Sequence, residues 1–138
     1  MSEERAPLPR PDPQDADDAR FWDGIAAGEL RIQRCRACNT FRHPPRPVCA
    51  QCGSRDSDAV AVTGAGEVWS FTVIHPPTLP AFADRTPYAA VVVRLDEGGF
   101  LVSNVVDVAS DAVEVGMRVA LAITEVEPGL ALPLFRRA

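Results

Sequence analysis

Apolar positions along this chain change their rhythm near residue 60. Before that point they gather in one short amphipathic stretch and one brief apolar run. From Asp15 to Ala27, Phe21, Trp22 and Ile25 fall on one helical face at i, i+1 and i+4. Asp15 or Asp17 can cap that helix, Asp17 and Asp18 suit the positive end of its dipole, and Gly28 stops it. Leu30 to Arg34 predicts a short strand. From about Val60 onward the pattern is that of strands. Gly64 and Gly66 flank a bend before the β-branched and aromatic run Glu67–Ile74. Tyr88–Leu95 is a second strand. The turn signal Asp96-Glu97-Gly98-Gly99 leads into Phe100–Val108 as its hairpin partner. After a further turn at Val113–Gly116, Met117–Val126 and Leu130–Phe135 complete the set. Five strands within about eighty residues, with glycine bends and no second long helix, predict a small closed barrel of the OB type. The expected class is mainly β: an N-terminal helix, a small ribbon that carries the chain's four cysteines, and a five-stranded OB barrel.

The four segments expected are 1–14, a disordered proline-rich tail or docking arm; 15–29, the helix; 30–58, the ribbon; and 59–138, the barrel. Pro7, Pro9, Pro11 and Pro13 forbid a helix in the tail and favour extended, solvated chain. The helix carries two adjacent aromatics and has little core of its own to cover. It either packs on the ribbon or docks into another subunit, and the second reading makes Phe21, Trp22 and Ile25 partner contacts.

The ribbon is read from cysteine. Cys35-x2-Cys38, a ten-residue gap and Cys49-x2-Cys52 form two tight knuckles that aim four thiolates at one point. Four sulfurs meet the tetrahedral demand of one structural Zn²⁺. The gap is shorter than the fifteen to twenty residues usual for such pairs, and zinc ribbons accept it because the knuckles sit on adjacent hairpins. The rival readings are two disulfides or a redox Cys-x-x-Cys. The redox motif opens a helix after a strand in a βαβ unit, a setting neither pair has.

Charge and composition narrow the partners. The chain has 138 residues and a formal net charge of −5, which disfavours non-specific adhesion to nucleic acid or an anionic membrane. No apolar run approaches the roughly 20 residues that span a bilayer. The acidic, proline-rich start has no signal-peptide core, so a cytoplasmic, reducing location is expected. Every basic residue is Arg, so a lysine Schiff base is excluded. Six Arg and no acid lie between Arg31 and Arg55, making the ribbon locally cationic. No complete catalytic set is legible. His43 and His75 sit in loops and read as surface residues, while Tyr88 reads as packed. Whether the chain has activity of its own is left open.

Taken together, Phe21-Trp22, Gly28-Glu29-Leu30, Gln33-Arg34-Cys35-x-x-Cys38, Pro44-Pro45-Arg46-Pro47-x-Cys49-x-x-Cys52-Gly53-Ser54 and Gly64-x-Gly66-x-Val68 resemble one known family. Its members join a rubredoxin-like zinc ribbon to an OB-fold and accompany thiolase-superfamily enzymes. The runs Pro87-Tyr88-Ala89 and Val115-Gly116-Met117-x-Val119 extend the match to most of the chain after about Asp15. Asn39 stands where the family often has Gly, and Asn also tolerates positive φ. The resemblance implies a non-catalytic accessory subunit, with the catalytic residues on a thiolase-like or lipid-transfer-protein-like partner, in a heterotetramer. The implied chemistry is carbon–carbon bond making or breaking beside a CoA thioester, with an aldolase of steroid side-chain breakdown as the favoured instance. Arg42 and Arg46 are the candidate contacts for CoA phosphates, since Arg is suited to forked phosphate recognition. The alternative is a nucleic-acid-binding zinc-ribbon/OB module, using a basic groove and stacking aromatics.

Overall fold

A computed structural model describes residues 6–76 and 79–138. Met1–Arg5 of the tail, and Pro77 and Thr78 of the loop after the first long strand, lie outside the described residues. Helix α1 spans Ala16–Ala26. The Asp15 carboxylate accepts the Asp18 amide at 2.9 Å, and Asp17 and Asp18 occupy the first turn. Gly28, at φ 85°, ends the helix and turns the chain into β1, Leu30–Cys35.

Two sheets follow. The first is small and has the order β2-β1-β3, with β2 at Phe41–Arg42 and β3 at Ser57–Val62. β3 pairs antiparallel with β1 over its whole length, from Leu30 opposite Val62 to Cys35 opposite Ser57. The strand pattern that begins near Val60 therefore opens inside the ribbon's sheet, and position 58/59 lies within β3. The second sheet has five strands in the order β6-β5-β4-β7-β8. They are β4 Ala65–Ile74, β5 Tyr88–Leu95, β6 Phe100–Ser103, β7 Arg118–Glu127 and β8 Leu130–Arg137. The third barrel strand is shorter than the expected Phe100–Val108. Beyond Ser103 the chain leaves β5 and crosses to β8, where Val105 bridges Phe135 in parallel. The Phe135 amide donates to Asn104 carbonyl at 3.0 Å, and the Val106 amide to Phe135 carbonyl at 2.8 Å. These bonds nearly close the barrel.

Gly66 shows what the bend demands. A Cβ there would sit 2.5 Å from the Arg94 carbonyl oxygen on β5, so only a bare backbone fits. Gly64, at φ 80°, approaches Leu121 Cβ to within 2.3 Å of where its own Cβ would lie.

One apolar core serves both sheets. Val68, Val91, Val93, Val119 and Phe135 of the barrel pack in the same cluster as Leu30 and Ile32 of β1 and Phe21 and Ile25 of α1. Phe21 is 6 % exposed and Ile25 2 %. Those two side chains are spent inside this chain, which corrects the reading of them as partner contacts: the helix covers the ribbon–barrel junction. Trp22 is half-buried at the margin of the same cluster and contacts Phe21 edge-on at 5.1 Å. The proline-rich tail is not wholly solvated either. Leu8 is buried beside Ala81 and Leu130. Its amide donates to Glu127 Oε1 at 2.8 Å, and Arg10 pairs with the other oxygen of that carboxylate at 2.9 Å. Among the described residues, no helix is long and apolar enough to cross a membrane.

Candidate metal centre and its surroundings

Each knuckle is built by the same backbone exchange. In the first, the Cys35 amide donates to Thr40 carbonyl and the Asn39 amide to Cys35 carbonyl, both at 2.9 Å. In the second, Cys49 donates to Ser54 and Gly53 to Cys49, again at 2.9 Å. Asn39 at φ 62° and Gly53 at φ 78° occupy equivalent left-handed corners. Asn is one of the few residues with a Cβ that visits this region readily. The departure from Gly at position 39 thus leaves the turn intact.

The exchange brings the four sulfurs together. All lie within 4.8 Å of one another. Cys35 Sγ is 3.6 Å from Cys52 Sγ, and Cys38 Sγ is 3.6 Å from Cys49 Sγ. A tetrahedron with Zn–S of about 2.3 Å has edges of about 3.8 Å, so the spacing fits the ion. Bonded disulfides would need sulfurs about 2.0 Å apart, and all four cysteines are free. Cys35 and Cys49 are buried, while Cys38 and Cys52 reach the surface. The ionisation pattern points the same way. Thr40, through its hydroxyl 3.2 Å away and its amide, holds Cys38 down at about 6. Amides of Cys38 and Ala37 lower Cys35 despite its burial. Cys52 keeps one favourable amide, from Ser54, but bonding to Cys35, burial and the other two thiols push it up to about 12. Four thiols at one point cannot all ionise alone, and a divalent cation removes that conflict. The arrangement is a closed four-thiolate centre suited to one structural zinc ion.

A residue to which sequence reasoning gave no role, Gln33, holds the centre's supporting loop. Gln33 is buried on β1. Its Nε2 donates to the Arg46 carbonyl and to Ser57 Oγ, each at 2.9 Å, while its Oε1 accepts the Arg46 amide at 2.7 Å. Its sequence signals were its place in the Gln33-Arg34-Cys35 run and a polar side chain between the inward positions Ile32 and Cys35, in a strand whose Arg31 and Arg34 are half-buried.

The Arg stripe divides into paired and open members. Arg31 pairs with Glu29 and Arg36 with Asp58. Asp58 is held below the ordinary carboxylate range chiefly by its bond to Arg36. Arg42 turns back onto the loop, donating from Nε and Nη2 to the Arg46 carbonyl at 3.3 and 2.9 Å, with its Nη1 buried and unpartnered. Arg46 and Arg55 are exposed and form no ion pair among the described residues. Arg42 and Arg46 are therefore neighbours, but the first is half committed to the backbone.

His43 corrects another surface reading. Its ring lies against Phe21, 4.8 Å between centroids, and its Nδ1 is buried without a partner. Burial pulls it down to about 4, only slightly opposed by the Asp18 charge. Tyr88, half-buried, stacks on Phe82 at 5.9 Å. His75 is exposed.

Comparison with known proteins agrees with this architecture. The rubredoxin-like zinc ribbon domain of ChsH2 matches residues 22–58, and the C-terminal OB-fold domain of ChsH2 matches residues 59–124. A probable enoyl-CoA hydratase alpha subunit of Thermomonospora curvata is 45 % identical over the whole chain. The 3-oxo-4,17-pregnadiene-20-carboxyl-CoA hydratase alpha subunit of Mycobacterium tuberculosis is 46 % identical over 59 % of it. The chain spans 43 % and 25 % of those two proteins' lengths. A solved structure described as an Ltp2-ChsH2(DUF35) aldolase contains a chain that superposes with a TM-score of 0.82 and 45 % identity, covering 93 % of this chain and 98 % of that one. The chain belongs to the ChsH2 (DUF35) family of zinc-ribbon and OB-fold proteins.

Proposed function

We propose that this protein is a non-catalytic accessory subunit of a thiolase-like acyl-CoA enzyme, of the Ltp2 kind, in a heterotetramer with two copies of each chain. Its role is to stabilise the partner and to help hold the CoA ester. The partner performs carbon–carbon bond chemistry, an aldol cleavage in steroid side-chain breakdown being the favoured case. The observation that carries this reading is the near-complete superposition on the ChsH2(DUF35) chain of a two-component aldolase. The steroid-like acyl class is supported by the carboxyl-CoA substrate named for the Mycobacterium tuberculosis relative. Cys35, Cys38, Cys49 and Cys52 hold the zinc as a structural ion. Their sulfurs face one another rather than a substrate, and His43 is packed on Phe21. Arg46, with Arg42 behind it, is the proposed phosphate contact, because its side chain is exposed and unpaired among the described residues. The nucleic-acid alternative is not favoured, since Arg31 and Arg36 are neutralised by acids and the net charge is −5.

The test is co-expression with a thiolase-like partner, a tag on this chain only, followed by sizing and acyl-CoA assays. A stoichiometric complex, with the partner inactive or insoluble alone, supports the proposal. A lone monomer that leaves the partner's activity unchanged overturns it.

A further inference from the structure

One cavity lies away from the zinc and the Arg stripe. It is an open cleft of about 690 Å³, between the N-terminal strap, the loop at 79–87 and the outer end of the barrel. That volume lies in the range of small-molecule sites, roughly 300–1,000 Å³. Its walls are mostly apolar: Phe82 and Tyr88 on one side, Leu132 and Leu134 on the other, Leu8 at one edge, with Asp84 and Asn104 as polar lining. Phe82 and Tyr88 are stacked, presenting a flat aromatic wall. Arg85 is the cation of this lining. It forms no ion pair among the described residues, and has its Nε buried without a hydrogen-bond acceptor. That Nε is sealed from solvent, so an oxygen entering the cleft would meet the terminal nitrogens of the guanidinium, in a charge-assisted hydrogen bond. A purely hydrocarbon occupant would make no such bond.

We infer that this cleft binds the acyl group of an acyl thioester, with a bulky apolar body between the aromatic and leucine walls and the acyl carbonyl oxygen accepting from Arg85. This inference rests on the accessory-subunit reading and deepens it, by giving this chain a direct hold on the acyl end of the substrate. The strap has a matching place in the site. Glu127 pins it through the Leu8 amide and Arg10, so the tail forms one rim of the cleft instead of drifting in solvent.

The test is a nuclear magnetic resonance titration of the full chain with two probes, cholate methyl ester and cholate. The ester offers a neutral carbonyl on a bulky ring body, and the acid offers a carboxylate on the same body. The expected result is saturable shifts of the Phe82, Tyr88 and Leu132 amides with the ester. Arg85→Gln should weaken that binding about tenfold, the loss of one charge-assisted bond, and Leu132→Trp, which fills the cleft, should abolish it. Spectral dispersion reports whether each variant is folded. No saturable shift with either probe, or equal binding by folded Arg85→Gln, would overturn the inference. Binding of cholate without its ester would overturn the thioester assignment. Co-purification of the same variants with the partner reads the subunit proposal separately, so the two can fail independently.

Discussion

Gln33 and Arg46 exchange a reciprocal pair of hydrogen bonds: the Arg46 amide donates to Gln33 Oε1 at 2.7 Å, and Gln33 Nε2 donates to the Arg46 carbonyl at 2.9 Å. One buried side-chain amide thus does for the proline-rich loop what a strand partner would do. Pro44, Pro45 and Pro47 have no amide N–H to offer, so the loop has few backbone bonds of its own. Gln33→Leu keeps the volume and removes all three side-chain bonds. It strands the Arg46 amide and the Ser57 hydroxyl, while the Arg46 carbonyl keeps the Arg42 guanidinium, at a cost of about 1–3 kcal/mol. The expected outcome is a lower thermal midpoint together with faster transfer of zinc to a competing chelator. An unchanged zinc-transfer rate would show that the loop does not support the knuckles.

The zinc centre and the barrel are linked through Leu30 and Ile32 of β1, which enter the common core five and three residues before Cys35. Structural zinc binding is folding free energy. Removing the ion with a strong chelator should therefore lower the melting midpoint of the whole chain, not of the ribbon alone. Near-ultraviolet circular dichroism and amide exchange of the Val91 and Val93 amides would check this. A barrel whose protection is untouched by chelation would mean that the two sheets are energetically separate.

How much of this was legible beforehand follows the reach of each interaction along the chain. The knuckles were legible because a Cys-x2-Cys turn is local, and its corner residues, Asn39 and Gly53, carry their conformational preference with them. The barrel strands were legible because period-two alternation marks each one separately. What pattern could not supply was pairing at a distance. Gln33 meets Arg46 thirteen residues away and Ser57 twenty-four away, and no periodicity encodes that. The apolar face of α1 was correctly read as Phe21, Trp22 and Ile25, but a hydrophobic stripe does not name what it faces, and here it faces this chain's own β1 and barrel. His43 was misread for the same reason: a loop residue becomes buried only because Phe21 comes to meet it.

His43 gives the fold a pH dependence with a definite sign. Its folded value, about 4, lies below the ordinary 6.5. Between those values the unfolded chain binds the extra proton, so stability falls as pH drops through the ordinary value and stops falling below the folded one. From pH 7 to pH 5 the loss is about 2 kcal/mol, from 1.36 kcal/mol per pH unit of linkage. His43→Phe retains an aromatic against Phe21 and has no proton to gain. Denaturant midpoints measured at pH 7 and pH 5 should converge for the variant relative to the parent. An identical slope in both proteins would place the acid sensitivity elsewhere, in the thiolates above all.

Phe21 and Phe100 separate core from surface. Phe21 is sealed between α1 and the sheets, whereas Phe100 is 43 % exposed on β6 and meets the ring of Trp69, itself 53 % exposed, at 5.1 Å. Truncating a buried Phe costs about 3–5 kcal/mol, because transfer free energy is lost and a cavity remains. Phe21→Ala should therefore destabilise the isolated chain severely, with a drop in melting midpoint on the order of ten degrees or more. Phe100→Ala should cost the isolated chain much less, on the order of 1 kcal/mol, as only part of the ring is withdrawn from water in the fold. Thermal denaturation of the two variants without any partner decides the matter. If Phe21→Ala melts like the parent, the helix is not part of this chain's core, and its aromatic face returns to being a contact for another subunit.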